Sequence, residues 1–181
     1  YGAIIIDEWS PPYTFDKDNR NWFGWQAGLK LNDIFIHDSK FHLEYTWTDH
    51  RVYRHQNEIN DYYSHGYPIG FWAGPHAEEI YIDYKFNKFN SDISISYSYA
   101  KRGELTSVML ENQYDNIEYE RFSSISETLS VFKIIISKEI KNGFNLHFGF
   151  SSIDWKNGNF TPNPDFFIVD DLLDIYKNSF M

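Results

Sequence analysis

Several stretches of the chain alternate apolar and polar residues with a period of two, the spacing of a strand that turns one face to an apolar environment and the other to water. From Phe41, the odd positions Phe41, Leu43, Tyr45 and Trp47 are apolar, and His42, Glu44, Thr46 and Thr48 fill the even ones. Ile80, Ile82, Tyr84 and Phe86 alternate with Glu79, Tyr81, Asp83 and Lys85, and Ile93, Ile95, Tyr97 and Tyr99 with Ser94, Ser96 and Ser98. Phe144, Leu146, Phe148 and Phe150 do so with Asn145, His147, Gly149 and Ser151. Phe23 to Leu31 and Gly2 to Ile6 repeat the pattern less cleanly. Between Thr128 and Lys138, Phe132, Ile134 and Ile136 share a parity, but Val131 and Ile135 flank Lys133 on the other. A bulge or a contact with a plug would account for that mixture. The pattern predicts about seven strands.

The connections alternate in length. Asp33 to Lys40, Asn87 to Ser91 and Glu139 to Gly143 are short, whereas Asp7 to Asn21, His55 to His76 and Gly103 to Glu127 are long. Links this short allow only antiparallel neighbours, and the rhythm is that of an up-and-down transmembrane barrel with tight turns on one side and long loops on the other. The sequence therefore predicts an all-β, antiparallel transmembrane β-barrel with sequential strand order. Phe41, Leu43, Tyr45, Ile80, Ile82, Tyr84, Ile93, Ile95, Tyr97, Phe144, Leu146 and Phe148 should share its lipid-facing surface. A soluble β-sandwich or lipocalin-like barrel also alternates. Against it stand the charges Lys30, Glu44, Glu79, Asp83 and Lys85 in mid-strand, and aromatic strand ends such as Trp25, Trp47 and Tyr99, which resemble interfacial girdles.

Seven strands fall one below the smallest single-chain bacterial barrel, which predicts an internal or C-terminal portion of a larger one. Residues 1–156 read as that portion and 157–181 as an unfinished extracellular loop or tail. In that last stretch alternation is absent, and Val169 to Tyr176 could form a short helical turn. The edges at Gly2 to Ile6 and Phe144 to Asp154 should be left unpaired.

Composition sharpens this picture. Aromatic residues make up 20% of the 181, a content suited to an interface, and the net charge of −10 excludes a nucleic-acid binder by repulsion. There is no cysteine, so disulfide and thiolate chemistry are absent. No apolar run approaches the ~20 residues of a membrane helix, so a membrane would be crossed by strands.

The segment from Tyr62 to Tyr81 (YYSHGYPIGFWAGPHAEEIY) carries the most distinctive signature: a His-Gly-Tyr-Pro turn, glycines at 66, 70 and 74, Pro75, and the acidic pair Glu78 and Glu79 before a strand. It resembles the capsule assembly Wzi family, and Asp7-Glu8-Trp9, Gly24 to Leu29 and Glu44-Tyr45-Thr46 are similar to the same family's strands. The resemblance covers Tyr1 to Phe86. It implies a Gram-negative outer-membrane barrel that binds and anchors capsular or exopolysaccharide as a lectin rather than an enzyme, with polysaccharide and outer-membrane lipid as partners.

Read from the residues alone, Gly66, Gly70 and Gly74 with Pro68 and Pro75 shape a long loop. Such turns would present Tyr62, Tyr63, His65, Tyr67 and Trp72 as a sugar-contacting surface, since aromatic rings combine apolar area with a polar edge. His50, His55, His65 and His76 gather around this loop, but their spacing lacks the convergence of a metal site, and solvated loop histidines are expected. Neighbouring acids on a strand point to opposite faces, so Glu78 and Glu79 do not make a glycosidase pair, and no nucleophile signature is present. No cofactor or metal is expected. A porin or substrate-specific channel for small hydrophilic solutes is the alternative, because a polar lumen with charged rings passes such solutes.

Overall fold

The computed structural model describes residues 1–13, 21–53, 63–64, 67–68, 70–106, 108–109, 120–141, 143–158 and 174–180. Its strands are β1 (Gly2–Glu8), β2 (Trp22–Asn32), β3 (Lys40–Thr48), the two-residue β4 (Tyr63–Ser64) and β5 (Tyr67–Pro68), β6 (Ala77–Lys88), β7 (Ser91–Gly103), β8 (Ser126–Lys141), β9 (Phe144–Lys156) and β10 (Ile175–Phe180). Eight of them form one antiparallel sheet in the order β1-β2-β3-β6-β7-β8-β9-β10, while β4 and β5 pair with each other inside the β3–β6 connection. Sequential order is the outcome expected from the short links. Among the described residues the sheet is not closed.

The turns explain the registers. Phe89 and Asn90 both have positive φ (56° and 55°), the two-residue geometry whose twist matches a hairpin. That turn pairs Lys88 with Ser91 and, beyond them, Glu79 with Ala100. At the β2–β3 turn, Asp33 and Asp38 adopt φ of 59°, which Asp tolerates better than most residues. The Asp38 backbone N–H donates to Asp33 Oδ1 over 2.7 Å, and Ser39 Oγ donates to the Ile34 carbonyl over 2.8 Å. These short turns all lie at one end of the sheet, and the long connections all lie at the other.

Register assigns the two faces. Leu29, Leu43, Ile82, Tyr97 and Phe132 are successive cross-strand partners and form one apolar row. The twelve residues expected on a common face do share one. The opposite face carries rows such as Gln26, Thr46, Glu79 and Ala100. Burial is inverted relative to a water-soluble sheet: Thr46 and Asp83 on the polar face are each only 6% exposed, while Leu29 and Phe148 on the apolar face are 47% and 48% exposed. The polar face is therefore sheltered around Thr46 and Asp83 and open along β8, where Ile135 is 43% exposed, and the apolar residues are not packed between two sheets. Strands of 9 to 16 residues in the central six are long enough for tilted spans of a hydrocarbon layer.

Three sequence expectations change. The stretch given to a loop or tail at 157–181 contains β10, which pairs with β9 from Ile175↔Trp155 to Phe180↔Phe150. This raises the main sheet to eight strands, leaves Phe144–Lys156 paired on both sides, and makes β10 the second edge opposite β1. No bulge lies between Thr128 and Lys138, where β8 pairs regularly with both neighbours. The register shift falls instead at Glu139/Lys141. Leu129, Val131 and Ile135 thus belong to the mostly polar face.

The aromatic residues segregate by end. All six tryptophans lie towards the long-loop end: Trp9 after β1, Trp22 and Trp25 at the start of β2, Trp47 near the end of β3, Trp72 in the β3–β6 connection and Trp155 near the end of β9. The short-turn end instead exposes Phe35, Phe89 and Phe144.

Candidate functional site

The described ends of the β3–β6 connection, residues 49–53 and 70–76, pack against the polar face of the sheet. Its path begins with Thr48, whose hydroxyl is fully buried between two backbone groups: Oγ1 donates to the Gly74 carbonyl over 2.7 Å and accepts from the Ala77 N–H over 3.1 Å. One β-hydroxyl thereby ties the end of β3 to the start of β6 and to the loop between them. The next residue, Asp49, holds the Arg51 guanidinium at 2.8 and 3.1 Å and its backbone N–H at 2.9 Å. Burial pushes the Asp49 carboxyl up, but the Arg51 hydrogen bonds and the neighbouring charges outweigh it and hold the group below its ordinary range. Arg51 also lies over the Trp22 ring.

A small apolar cluster of Trp22, Val52 and Tyr53 supports Phe71. The Tyr53 hydroxyl accepts the Phe71 N–H over 3.2 Å, and the Tyr53 N–H donates to Asp7 Oδ2 over 2.8 Å, linking this loop to the end of β1. Gly70 has φ of 139° and lies so close to the Tyr53 ring that an added Cβ would sit 2.8 Å from its hydroxyl. Glycine is required there by both conformation and space.

Phe71 and Trp72 then overhang a cavity of about 370 Å³ whose other walls include Ala3, Ile5, Gln26, Glu44, Thr46 and Glu79. Trp72 Nε1 donates to Glu79 Oε2 over 2.8 Å, leaving the indole 47% exposed. Gln26 Nε2 donates to Glu44 Oε1 over 2.9 Å and to Thr46 Oγ1 over 3.1 Å, and the Tyr1 hydroxyl hydrogen-bonds both His42 Nε2 and Glu44. The cavity thus presents an aromatic edge on one side and a fixed set of carboxylate, amide and hydroxyl groups on the other. This chemistry suits a polyhydroxylated ligand, whose C–H faces meet rings and whose hydroxyls donate to carboxylates.

Behind the cavity the loop is packed tightly. His76 Nδ1 donates to the Glu104 carbonyl over 2.8 Å, and its ring stacks on Phe122 with centroids 5.1 Å apart and planes within 7°. Arg121 lies over both Trp47 and Phe122 and donates from Nη2 to the Ala77 carbonyl over 2.8 Å. Gly103 lets the His76 ring approach, since a Cβ there would lie 2.5 Å from Cε1. His50 and His76 are buried rather than solvated, which corrects the expectation for these two; burial pushes each down to about 4. At neutral pH both rings are uncharged, so the 3.3 Å approach of His50 Nδ1 to Asp49 is not an ion pair. His55 and His65 lie outside the described residues.

Of the sequence-predicted contact residues, Trp72 reaches the cavity. Tyr63 and Tyr67 lie in the β4–β5 ladder, where Tyr63 pairs with Pro68 and Ser64 with Tyr67. Their side chains, together with Tyr62, His65 and Gly66, lie outside the described residues. Gly74 adopts φ of 73°, and Pro75 after it is fully buried. These two shape a packed turn. The two acids do diverge: Tyr45 OH donates to Glu78 Oε2 on the apolar face, while Glu79 faces the cavity.

Sequence reasoning passed over Gln26, Glu44 and Thr46 as cavity walls, although Gln26, Thr46 and Glu79 occupy one register row. Among the described residues, the one group of potential metal ligands is Asp33, His37 and Asp38, all exposed on the β2–β3 turn at the opposite end. Comparison with known proteins found no family, no curated relative and no solved structure that matches the chain.

Proposed function

We propose that this chain forms the wall of a Gram-negative outer-membrane β-barrel that binds and anchors capsular or exopolysaccharide at the cell surface, a lectin of the Wzi type. The observation that carries the membrane reading is the burial pattern of the sheet, with Thr46, Asp83, Glu127 and Ser151 sheltered on one face and isoleucine, leucine and phenylalanine turned outward on the other face of sequentially paired strands. In water such a face would aggregate; in a bilayer it is solvated by acyl chains. The saccharide reading rests on the cavity under Trp72, where an indole held by a carboxylate faces Glu44, Gln26 and Thr46.

The test has two parts. Refolding from urea into lipid vesicles, read by heat-modifiable migration, examines the membrane reading, and failure to insert would remove it. Equilibrium binding of capsular oligosaccharides to the inserted protein examines the lectin reading, which requires saturable binding.

A channel for small hydrophilic solutes is the second reading. It is favoured by the polar rung of Lys30, His42, Asp83, Ser96 and Lys133 across the polar face. Conductance in planar bilayers without saturable oligosaccharide binding would select it.

A further inference from the structure

The apolar face does not end in the same way at its two rims. At the short-turn rim three lysines point outward: Lys88 follows Phe86 on the same side of β6, Lys138 pairs with Leu146, and Lys141 pairs with Phe144. All three are exposed, and Phe89, Ile140, Phe144 and Leu146 stand exposed around them. Lys88 Nζ lies 5.4 Å from the centroid of the Phe89 ring. The acids on the same two hairpins turn the other way, because Asp92 pairs with Ser137 and Glu139 with Asn145 on the sheltered face. The neighbouring β2–β3 turn carries Asp33 and Asp38, with Asp38 held by His37 at 3.0 Å, and adds no cation to the cluster. At the long-loop rim the outward charges are mixed, Glu78 pairing with Lys101 and Asp154 lying two residues before Lys156.

Resting on the membrane reading above, we infer that the short-turn rim is a binding surface for anionic phospholipid headgroups, with Lys88, Lys138 and Lys141 on the phosphates and Phe89, Phe144 and Leu146 at the acyl boundary. Lysine suits this place because its alkyl stem lies along apolar surface while the ammonium reaches the polar layer. Three outward cations without an outward acid at the turn ends of the β6–β7 and β8–β9 hairpins give this part of the rim one sign of charge, and anionic lipid surfaces attract clustered lysines. The mixed outward charges at the opposite rim have no such preference. The leaflet richer in anionic phospholipid therefore receives the short turns, and the long loops with their cavity project from the other leaflet.

The full chain reconstituted in phosphatidylcholine bilayers provides the test. Spin-labelled phosphatidylglycerol and spin-labelled phosphatidylcholine are compared by the motionally restricted fraction each shows at the protein surface. The wild type should prefer phosphatidylglycerol by roughly fivefold or more. The triple variant Lys88→Gln, Lys138→Gln, Lys141→Gln should reduce that preference to near unity, and Lys156→Gln at the other rim should leave it in place. Circular dichroism and heat-modifiable migration identify variants that still insert, and single substitutions replace the triple one if it does not. Equal restriction of the two lipids in the wild type, or a preference that survives loss of the three lysines, overturns the inference while leaving the barrel intact. Restriction of neither lipid removes the membrane reading and this inference with it.

Discussion

The indole Nε1 of Trp72 donates a 2.8 Å hydrogen bond to Oε2 of Glu79, joining the long β3–β6 connection to the sheltered face of the strand that follows it. The bond sets the angle at which the ring overhangs the cavity. Trp72→Ala should therefore weaken oligosaccharide binding by about 1 kcal/mol or more, and Trp72→Phe, which keeps a ring but no donor, should fall between it and the wild type. Titration with capsular oligosaccharide gives the affinities, and heat-modifiable migration should stay unchanged. Combining Trp72→Ala with Tyr67→Ala should also lower polysaccharide retention on cells. Loss of folding in these variants would identify the loop as a structural plug.

Ile82 lies mid-strand on the apolar face between Leu43 and Tyr97. Ile82→Arg should cost ~2–4 kcal/mol of stability in vesicles. Ser96→Arg, on the opposite face of the adjacent strand, should cost much less. Urea titration in lipid vesicles compares the two, and equal costs would contradict the assignment of faces.

Thr48→Val keeps the shape of a fully buried side chain and removes its hydroxyl, leaving the Gly74 carbonyl and the Ala77 N–H without that partner. A loss of about 1–3 kcal/mol is expected. It should appear first as faster amide exchange at 73–77, because the hydroxyl ties the loop to both flanking strands. Thr46→Val, one register row inward, should perturb the loop less.

His50 and His76 give the long-loop rim a pH dependence whose direction follows from burial. Each is pushed down to about 4 in the folded protein, from an ordinary value of 6.5. Above pH 6.5 both are neutral whether the loop is packed or open, and its stability is fully present. As the pH falls from 6.5 towards 4 the open form takes up protons first, so packing weakens through that window and levels off below it. Amide exchange at 49–53 and 70–76 should accelerate over this range while mid-strand amides in β6 and β7 stay protected. His76→Gln should make the response shallower.

The strands were legible because alternation at period two survives wherever one face meets an apolar medium, and Phe41 to Thr48 and Ile80 to Phe86 show it without interruption. The antiparallel, sequential pairing followed from short links of two residues at 89–90 and seven at 33–39. β10 was not legible, since its six residues place only Tyr176 and Phe180 on the outward parity and Asn178 between them. The cavity escaped for a different reason. Glu44, Gln26 and Thr46 face it through a register that alternation implies, but the ring that closes it comes from a 28-residue connection whose path is set by Thr48, Gly70 and the Tyr53 contacts rather than by any periodicity. The burial of His50 and His76 depends on that same path, which brings Phe122 and Arg121 from a distant loop against them.

The crowding of all six tryptophans towards one end has an optical consequence. Intrinsic fluorescence excited at the red edge of indole absorption originates from the long-loop half of the molecule alone. Saccharide arrival near Trp72, or acid loosening of the loop around Trp22, alters the emission directly, whereas events at the turns bearing Phe35, Phe89 and Phe144 are dark. Emission during insertion into a bilayer therefore records when the loop-bearing end arrives and is silent about the turns.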